Sequence, residues 1–236
     1  MPKPIAIWDI DGTIFRSSLT IELFKCLVSQ RIFPSALMSR VLRSEQHWLN
    51  RQGHYDEYIW DVVRAYQKGI IRKKRSQIIN ASRAVIREQK YRTYRYTRDL
   101  LQKLRQKYFL LAISGSPLEV VREYNKFLKF DKVYGTEFGV NERGYYTGKV
   151  LHEPPQYKKE LIVRYVEKHG FDLKNSIGVG DTESDIGFLE LVSRPIAFNP
   201  NTKLAAYAKE KNWNIVIERK DLIVEFKPKA VKFLKI

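Results

Sequence analysis

Cysteine is almost absent from this chain, with one residue, Cys26, in 236. A disulfide framework within the chain is therefore excluded, and with it the small secreted domains that depend on one. Cys26 lies in an apolar stretch with helical spacing, which predicts a buried small hydrophobic side chain.

Long apolar runs are also missing. No segment approaches the roughly 20 apolar residues of a membrane-spanning helix. Pro2-Lys3-Pro4 leads directly into a short apolar run, without the long apolar segment of a secretory signal. These absences predict a cytoplasmic protein with no transmembrane segment, and a hydrophobic fraction of 44% is sufficient for a packed interior.

Acidic residues are in deficit: 26 Asp and Glu face 43 Lys and Arg, a net charge of +17. A positive field attracts small phosphorylated substrates, and this is the favoured interpretation. Two alternatives are a nucleic acid, suggested by the basic run 72–75 and by cations interleaved with tyrosines over 90–98, and a membrane surface, suggested by the basic tail 226–236. Basic runs alone support only non-specific nucleic-acid contact, which disfavours that partner. The oligomeric state is left open.

The acids that are present follow apolar runs. Asp9-Ile10-Asp11-Gly12-Thr13 comes directly after Ile5–Trp8, so two carboxylates reach the C-terminal end of a predicted buried strand. Enzymes with α/β folds hold their chemistry at that edge of the sheet. Asp, Gly and Thr also form ordinary turns, so the interpretation depends on companion segments further along the chain.

Three such companions follow in order. The apolar run 110–113 ends in Ser114-Gly115-Ser116-Pro117 before a helical pattern over Leu118–Leu128, and a hydroxyl with free amides at a helix N-terminus suits an anion. Lys158 and Lys159 open an amphipathic stretch, where a cation opposes the helix dipole. The run 176–179 leads into Gly180-Asp181-Thr182-Glu183-Ser184-Asp185. Each segment alone could be a turn or a solvated surface, but the ordered set indicates a catalytic site.

Over nearly the whole chain these four motifs resemble the haloacid dehalogenase superfamily, in particular its phosphoserine-phosphatase-like branch, subfamily IB. Ser114-Gly115 is similar to the second motif of that superfamily, Lys158 to the third and Gly180-Asp181 with Asp185 to the fourth, while Lys159 remains an alternative for the third. The segment 135–148 resembles the hairpin that this branch places between its second and third motifs.

The resemblance implies a Mg²⁺-dependent phosphomonoester hydrolase. Asp9 is then the nucleophile that forms an aspartyl-phosphate, and Asp11 is the general acid and base. The implied metal ligands are the side chains of Asp9 and Asp181 and the main-chain carbonyl of Asp11. The implied contacts to the phosphoryl oxygens are Ser114, the Gly115 amide and Lys158. Asp185 is expected behind them, orienting Lys158 or the water molecules on the metal.

The order of helical and strand-like patterns predicts two parts. Residues 1–15 and 97–236 are expected to form a Rossmann-like α/β core, a parallel sheet with helices on both faces. Residues 16–96 are expected to be an inserted all-helical cap. Its predicted helices are Leu19–Ser29, 36–49, 55–66 and 76–88, with breaks at Pro34, Gly53 and Gly69.

One departure from the branch bears on the substrate. Its phosphoserine phosphatases carry a glutamate nine positions after the nucleophile, which binds the substrate ammonium group, whereas this chain has Ser18. Another small phosphorylated metabolite is therefore favoured over phosphoserine as the substrate. Four residues of the insertion are candidates for determining substrate specificity: Arg40, Arg43, His47 and Trp48. The alternative is that they form an ordinary helix surface.

Two other functions stay open on the sequence alone. One is a phosphotransferase that passes the phosphoryl group to an alcohol other than water. The other is a catalytically idle, basic binding protein for phosphorylated or nucleic-acid ligands. The presence of both Asp9 and Asp11 favours an enzyme, since a binding protein would not require both carboxylates.

Overall fold

One eight-stranded sheet organises the protein, in the order β4-β3-β2-β1-β5-β6-β7-β8. The computed structural model describes residues 3–227, so that most of the basic tail 226–236 lies outside the described residues. The strands are β1 (Ile5–Trp8), β2 (Phe109–Pro117), β3 (Lys132–Val140), β4 (Tyr146–His152), β5 (Ile177–Gly180), β6 (Arg194–Phe198), β7 (Asn214–Arg219) and β8 (Leu222–Phe226). The helices are α1 (Leu19–Ser29), α2 (Met38–Leu49), α3 (Tyr55–Ile70), α4 (Arg75–Gln89), α5 (Arg95–Leu104), α6 (Leu118–Leu128), α7 (Lys158–His169), α8 (Ile186–Leu189) and α9 (Thr202–Lys211).

The centre of the sheet is parallel and buried, as the sequence predicts. β1 pairs in parallel with β2 on one side and with β5 on the other. All four residues of β1 are fully buried, as expected of a parallel strand covered on both faces. The two margins differ, because β4 and β8 each pair antiparallel with their neighbours. The predicted hairpin over 135–148 is present as β3 and β4.

The segment between β1 and α5 is helical. α1 has the bounds that the sequence predicts, whereas the predicted break at Gly69 is wrong, because α3 continues to Ile70. Gly69 packs there against Phe33, and a Cβ at this position would lie 2.5 Å from the ring. No helix within residues 3–227 combines the length and apolar character needed to cross a membrane.

A continuous hydrophobic core joins these helices to one face of the sheet. Phe24 packs against Phe33, Phe33 against Tyr66, and Tyr66 against Phe138 of β3, with ring centroids 5.5 to 6.2 Å apart. Side chains alternate along β1, so that Trp8 joins this cluster whereas its neighbours in the strand face a second cluster across the sheet. The inserted helices and the sheet therefore share buried contacts.

The tyrosines of the basic segment 90–98 differ in their exposure. Tyr94 and Tyr96 pack on Phe198, with ring centroids 4.9 and 5.9 Å away. Tyr91 lies edge-on to Phe127 and is 73% exposed. Two of these three rings are thus engaged by the interior, which limits their use as a platform for stacking bases.

Candidate active site

The strand ends bring the sequence motifs together. Trp8, the last residue of β1, is in register with Ala112 of β2 and with Val179 of β5. The Asp9 amide donates to the Val179 carbonyl at 2.9 Å, which extends the pairing into the first motif. Residues that follow these three parallel strands consequently emerge at one edge of the sheet.

Lys158 lies between two carboxylates. Its Nζ is 2.6 Å from Asp9 Oδ1 and 2.6 Å from Asp185 Oδ1, and the three side chains are 3%, 8% and 0% exposed. The other oxygen of Asp185 accepts hydrogen bonds from the backbone amides of Asp181 and Thr182, at 2.9 and 3.0 Å. Asp185 is thereby fixed by the turn after β5, and it fixes Lys158 against Asp9.

The neighbouring lysine points elsewhere. Lys159 is exposed, and its Nζ lies 3.4 Å from a carboxylate oxygen of Glu190. The sequence leaves the third motif open between Lys158 and Lys159. Of the two, Lys158 is the one whose ammonium group contacts Asp9.

Asp11 is held by donors from two elements. Its Oδ1 accepts from the backbone amide of Leu19 at 2.5 Å, and its Oδ2 accepts from the hydroxyls of Ser114 and Ser116 at 2.6 and 2.9 Å. The Ser114 hydroxyl, predicted to face a phosphoryl oxygen, thus contacts Asp11. Ser116 was not a predicted site residue, although alternation along a strand places residues i and i+2 on one side.

Gly12 allows a close approach to Asp181. Its φ is +79°, and a Cβ built on it would lie 2.1 Å from Asp181 Oδ2. Thr13 donates its hydroxyl to the other oxygen of Asp181 at 3.1 Å. Any side chain at position 12 would displace the Asp181 carboxylate from the backbone of the first motif.

Burial of several acids around one lysine shifts their pKa values upward. Burial raises the pKa of Asp9 to about 8 despite the opposing charge of Lys158, and the carboxylates of Asp185 and Asp11 add to the rise. Burial also raises the pKa of Asp11, and burial together with Asp9 and Asp185 raises that of Asp181. Burial opposes the charge of Lys158, but Asp185 and Asp9 outweigh it and raise the pKa of the lysine. An added cation would stabilise the ionised carboxylates.

The donor set fits a magnesium ion. Within residues 3–227 no three acidic, histidine or cysteine side chains gather into a complete metal cage. Mg²⁺ does not need one, because it keeps several water molecules and is commonly bound by one or two carboxylates. The electrostatic coupling of Asp9 with Asp181 and the oxygen-only chemistry of these groups suit a hard divalent cation.

A cavity of about 290 Å³ opens above these groups. Asp9, Asp11, Lys158 and Asp181 form one part of its lining, together with the exposed Gly115. Ser18 also lines the cavity. Its hydroxyl accepts from the Thr20 amide at 3.2 Å and caps α1, so this position supplies a neutral wall to the cavity.

The candidate specificity residues of α2 do not line this cavity. Arg40, Arg43 and His47 line a separate groove of about 600 Å³ between α2 and α3. Trp48 stacks on Tyr58, with ring centroids 6.0 Å apart. The reason is that α3 separates these residues from the cavity, because residues of α3 line both the groove and the cavity.

The wall opposite the carboxylates comes from α3. Its lining residues repeat at helical spacing along one face of that helix, a pattern that marks a helix face in the sequence but does not show what that face covers. They are Tyr55, Asp56, Ile59, Trp60, Val63, Tyr66 and Gln67.

Comparison with known proteins identifies the family and the fold. Residues 6–190 match the family model for haloacid dehalogenase-like hydrolases. The chain is 24% identical over 222 residues to the inhibition of morphological differentiation protein of Streptomyces azureus, covering 92% of this chain and 79% of that protein. It is 28% identical over 112 residues to a histidinol-phosphatase of Neisseria meningitidis serogroup C (strain 8013), covering 45% of this chain and 50% of that enzyme.

Among solved structures, a phosphoserine phosphatase captured as a phospho-aspartyl intermediate analogue has a similar fold. The TM-score is 0.61 at 17% sequence identity, with 94% of this chain and 96% of that chain covered.

Proposed function

The chain belongs to the haloacid dehalogenase-like hydrolase family, and we propose that it hydrolyses a small phosphate monoester through a phosphorylated Asp9. One observation carries the proposal: the buried ammonium group of Lys158 bridges Asp9 and Asp185 beside a third carboxylate, Asp11, which accepts hydrogen bonds from three donors. A nucleophile, a proton carrier and a fixed cation thus lie at one edge of the sheet, where a phosphoryl group can meet all three.

In the first step, an oxygen of Asp9 attacks phosphorus and the bond from phosphorus to the alcohol oxygen breaks. The departing oxygen takes a proton from Asp11, giving the free alcohol and an aspartyl-phosphate. In the second step, Asp11 takes a proton from water as the water oxygen attacks phosphorus. The acyl-phosphate bond then breaks, which releases inorganic phosphate and restores Asp9.

Asp11 suits proton transfer because burial raises its pKa, which favours the protonated form that a general acid requires. To deliver a proton, an oxygen of Asp11 must give up its hydrogen bond with a serine and form one with the substrate. The Ser114 hydroxyl, 2.6 Å from Asp11 Oδ2, is then free to turn toward a phosphoryl oxygen. Lys158 and the Gly115 amide complete the contacts to the transferred group, where charge is spread in the transition state.

Asp9 and Asp181, with the main-chain carbonyl of Asp11, would hold Mg²⁺ in this mechanism. When bound, the ion supplies positive charge that offsets the repulsion between a phosphate dianion and a carboxylate nucleophile. The chain's own contribution is to keep Asp181 near the first motif, through the missing side chain of Gly12 and the hydroxyl of Thr13.

The test is phosphate release from p-nitrophenyl phosphate and from a panel of phosphorylated metabolites, with Mg²⁺ and with chelator. We expect Mg²⁺-dependent turnover by the wild-type protein, with phosphate appearing in water without an added alcohol acceptor. Absence of turnover by folded protein across the panel would contradict the proposal. Turnover only in the presence of an alcohol would replace the hydrolase with a phosphotransferase.

A further inference from the structure

The cavity above Asp9 has an apolar wall, and within residues 3–227 its lining includes no cation left for a substrate carboxylate, because Lys158 is already paired. We propose that the alcohol portion of the substrate is an aromatic or aliphatic group without a carboxylate, on which a positive charge is tolerated and a negative charge is rejected. This inference rests on the proposed phosphatase function and adds the chemical class of its substrate.

The first support is the wall formed by α3. Tyr55, Ile59, Trp60 and Val63 present apolar surface to the cavity, and Phe138 lines it from β3. Trp60 is 53% exposed and Tyr55 37% exposed, although both are large aromatic side chains. Aromatic rings left open at the mouth of a cavity can bury apolar substrate surface when a ligand enters.

The second support is the sign of the charges. The chain carries a net charge of +17, yet among residues 3–227 the cavity is lined by one cationic side chain, Lys158, and six carboxylates. Lys158 already binds Asp9 and Asp185 at 2.6 Å each and faces the phosphoryl position. A carboxylate on the substrate would therefore lose water without gaining a partner of opposite charge.

The third support is Asp56, at the mouth of the cavity. It lies in the first turn of α3 and is exposed, and within residues 3–227 its carboxylate makes no side-chain hydrogen bond or ion pair, whereas Lys203 acts on it only through its charge. Two other rim acids are engaged: Glu183 pairs with Lys203 at 2.7 Å, and Glu153 accepts from Gln156 at 2.5 Å. Asp56 is thus the rim carboxylate available to attract a cationic group and repel an anionic one.

The size of the cavity restricts the substrate further. Its volume of about 290 Å³ lies at the lower end of the range for small-molecule sites. A phosphorylated ring or short chain is the class that fits this space. The exposed aromatic residues at its mouth would contact the end of the molecule farthest from phosphorus.

Three aryl phosphates with nearly the same leaving group test the proposal. They are 4-ethylphenyl phosphate, tyramine O-phosphate and 3-(4-phosphooxyphenyl)propanoate, whose far ends are neutral, cationic and anionic. We expect kcat/KM for the carboxylate compound to be roughly tenfold or more below that of the neutral one, because its charge stays unpaired in the cavity. The cationic compound should equal or exceed the neutral one.

Charge reversal at the rim identifies the residue responsible. In Asp56→Lys, kcat/KM for the carboxylate compound should rise roughly fivefold and that for tyramine phosphate should fall, as expected for an exposed charge. Glu57→Lys is the matched control, because Glu57 shares the first turn of α3 and the same charge change but lines only the outer groove. It should leave the order of the three substrates unchanged.

The outcomes separate the two proposals. If p-nitrophenyl phosphate is hydrolysed but the carboxylate compound matches the other two, or if none of the three is hydrolysed, the substrate class is overturned and the phosphatase proposal stands. If p-nitrophenyl phosphate is not hydrolysed by folded protein with Mg²⁺, the proposed function itself fails. Equal responses to Asp56→Lys and Glu57→Lys would overturn the role of Asp56.

Discussion

Asp9 lies at the edge of the sheet and Asp61 in the groove between α2 and α3. Their surroundings shift the pKa values of these two carboxylates in opposite directions. Asp9 shares one lysine with Asp185, and burial raises its pKa to about 8. Burial also acts on Asp61, but hydrogen bonds from Arg64 and Arg40 outweigh it and lower its pKa. Those two arginines are 55% and 74% exposed, whereas Lys158 is 3% exposed.

The difference lies in the ratio of positive to negative groups at each place. Asp61 has two cations to itself and remains an ionised structural partner. Asp9 belongs to a cluster with more acids than cations, so its ionised form is unfavourable until another cation binds nearby. A surplus of buried negative charge thus separates the candidate catalytic cluster from an ordinary charged surface.

The sharpest test substitutes the same residue type in both places. Asp9→Asn should reduce turnover on the order of 10⁴-fold or more, because it removes the nucleophile of the proposed mechanism. Asp61→Asn should leave kcat within about twofold, since its partners Arg40, Arg64 and Ser44 belong to the outer groove. Phosphate release by both purified variants gives the comparison, and an active Asp9→Asn protein would exclude Asp9 as the nucleophile.

The next largest effect compares the adjacent lysines of α7. Lys158→Ala should lower kcat about 10²- to 10³-fold, as expected when one preorganised donor to a transition-state oxygen is lost. Lys159→Ala removes the same charge from the exposed side of the helix, where the partner is Glu190, and should have little effect. A large defect in Lys159→Ala with an active Lys158→Ala would reverse the assignment of the third motif.

The third test uses pH and stability without metal. Because the pKa of Asp9 is raised from 3.8 to about 8, its contribution to the free energy of unfolding is present below about pH 4 and is lost as the pH rises toward 8. Metal-free wild-type protein should therefore lose melting temperature over that range relative to Asp9→Asn. Mg²⁺ should raise the wild-type melting temperature more at pH 8 than at pH 6, and parallel profiles for the two proteins would contradict this.

Asp61 should show the opposite sign. Its lowered pKa places its contribution above its ordinary pKa, and that contribution is lost as the pH falls. Asp61→Asn should lower the melting temperature at pH 7 by about 2–4 °C, the shift expected for about 1 kcal/mol in a chain of this length. The deficit should shrink near pH 3, and a deficit that is constant with pH would exclude the ion pairs as its cause.

The smallest expected effect concerns a matched pair of serines. Ser116→Ala removes one hydrogen bond to Asp11, so we expect a several-fold loss of kcat and a rise in the pKa of Asp11 visible in the pH–rate profile. Ser44→Ala removes a hydroxyl that donates to backbone carbonyls of α2, and should alter neither. An unchanged pH–rate profile in Ser116→Ala would show that Ser116 does not tune Asp11.

Local patterns in the sequence predict much of this fold. The apolar run before Asp9 predicts β1, and the pattern over Leu118–Leu128 gives both ends of α6. Gly69 is the instructive error, because its low helix propensity suggests a break, whereas the ring of Phe33 needs the space that a side chain would occupy. Close packing between residues that are distant in the sequence determines which residue such a position needs. The local periodicity of the sequence contains no information about that packing.

The candidate site also has one part that the sequence predicts and one part that it does not. Residues at strand ends are predictable because parallel strands place their carboxyl ends at one edge. The cavity wall is not, because choosing between α2 and α3 requires knowing which helix faces that edge. Arg40 is a candidate from the sequence and Trp60 is not, yet the packing of α3 against the rest of the fold places Trp60 in the cavity.

The shared core of inserted helices and sheet has a consequence for how ligands enter and leave. A rigid hinge that swung the helices away would separate Tyr66 from Phe138 and open a continuous buried cluster to water. Such a motion would expose buried apolar surface, whereas small side-chain rotations would not. Tyr55 packs edge-on against Trp48, so we expect the exposed ring of Trp60 to control passage at the mouth by fast movements while the helices stay in place.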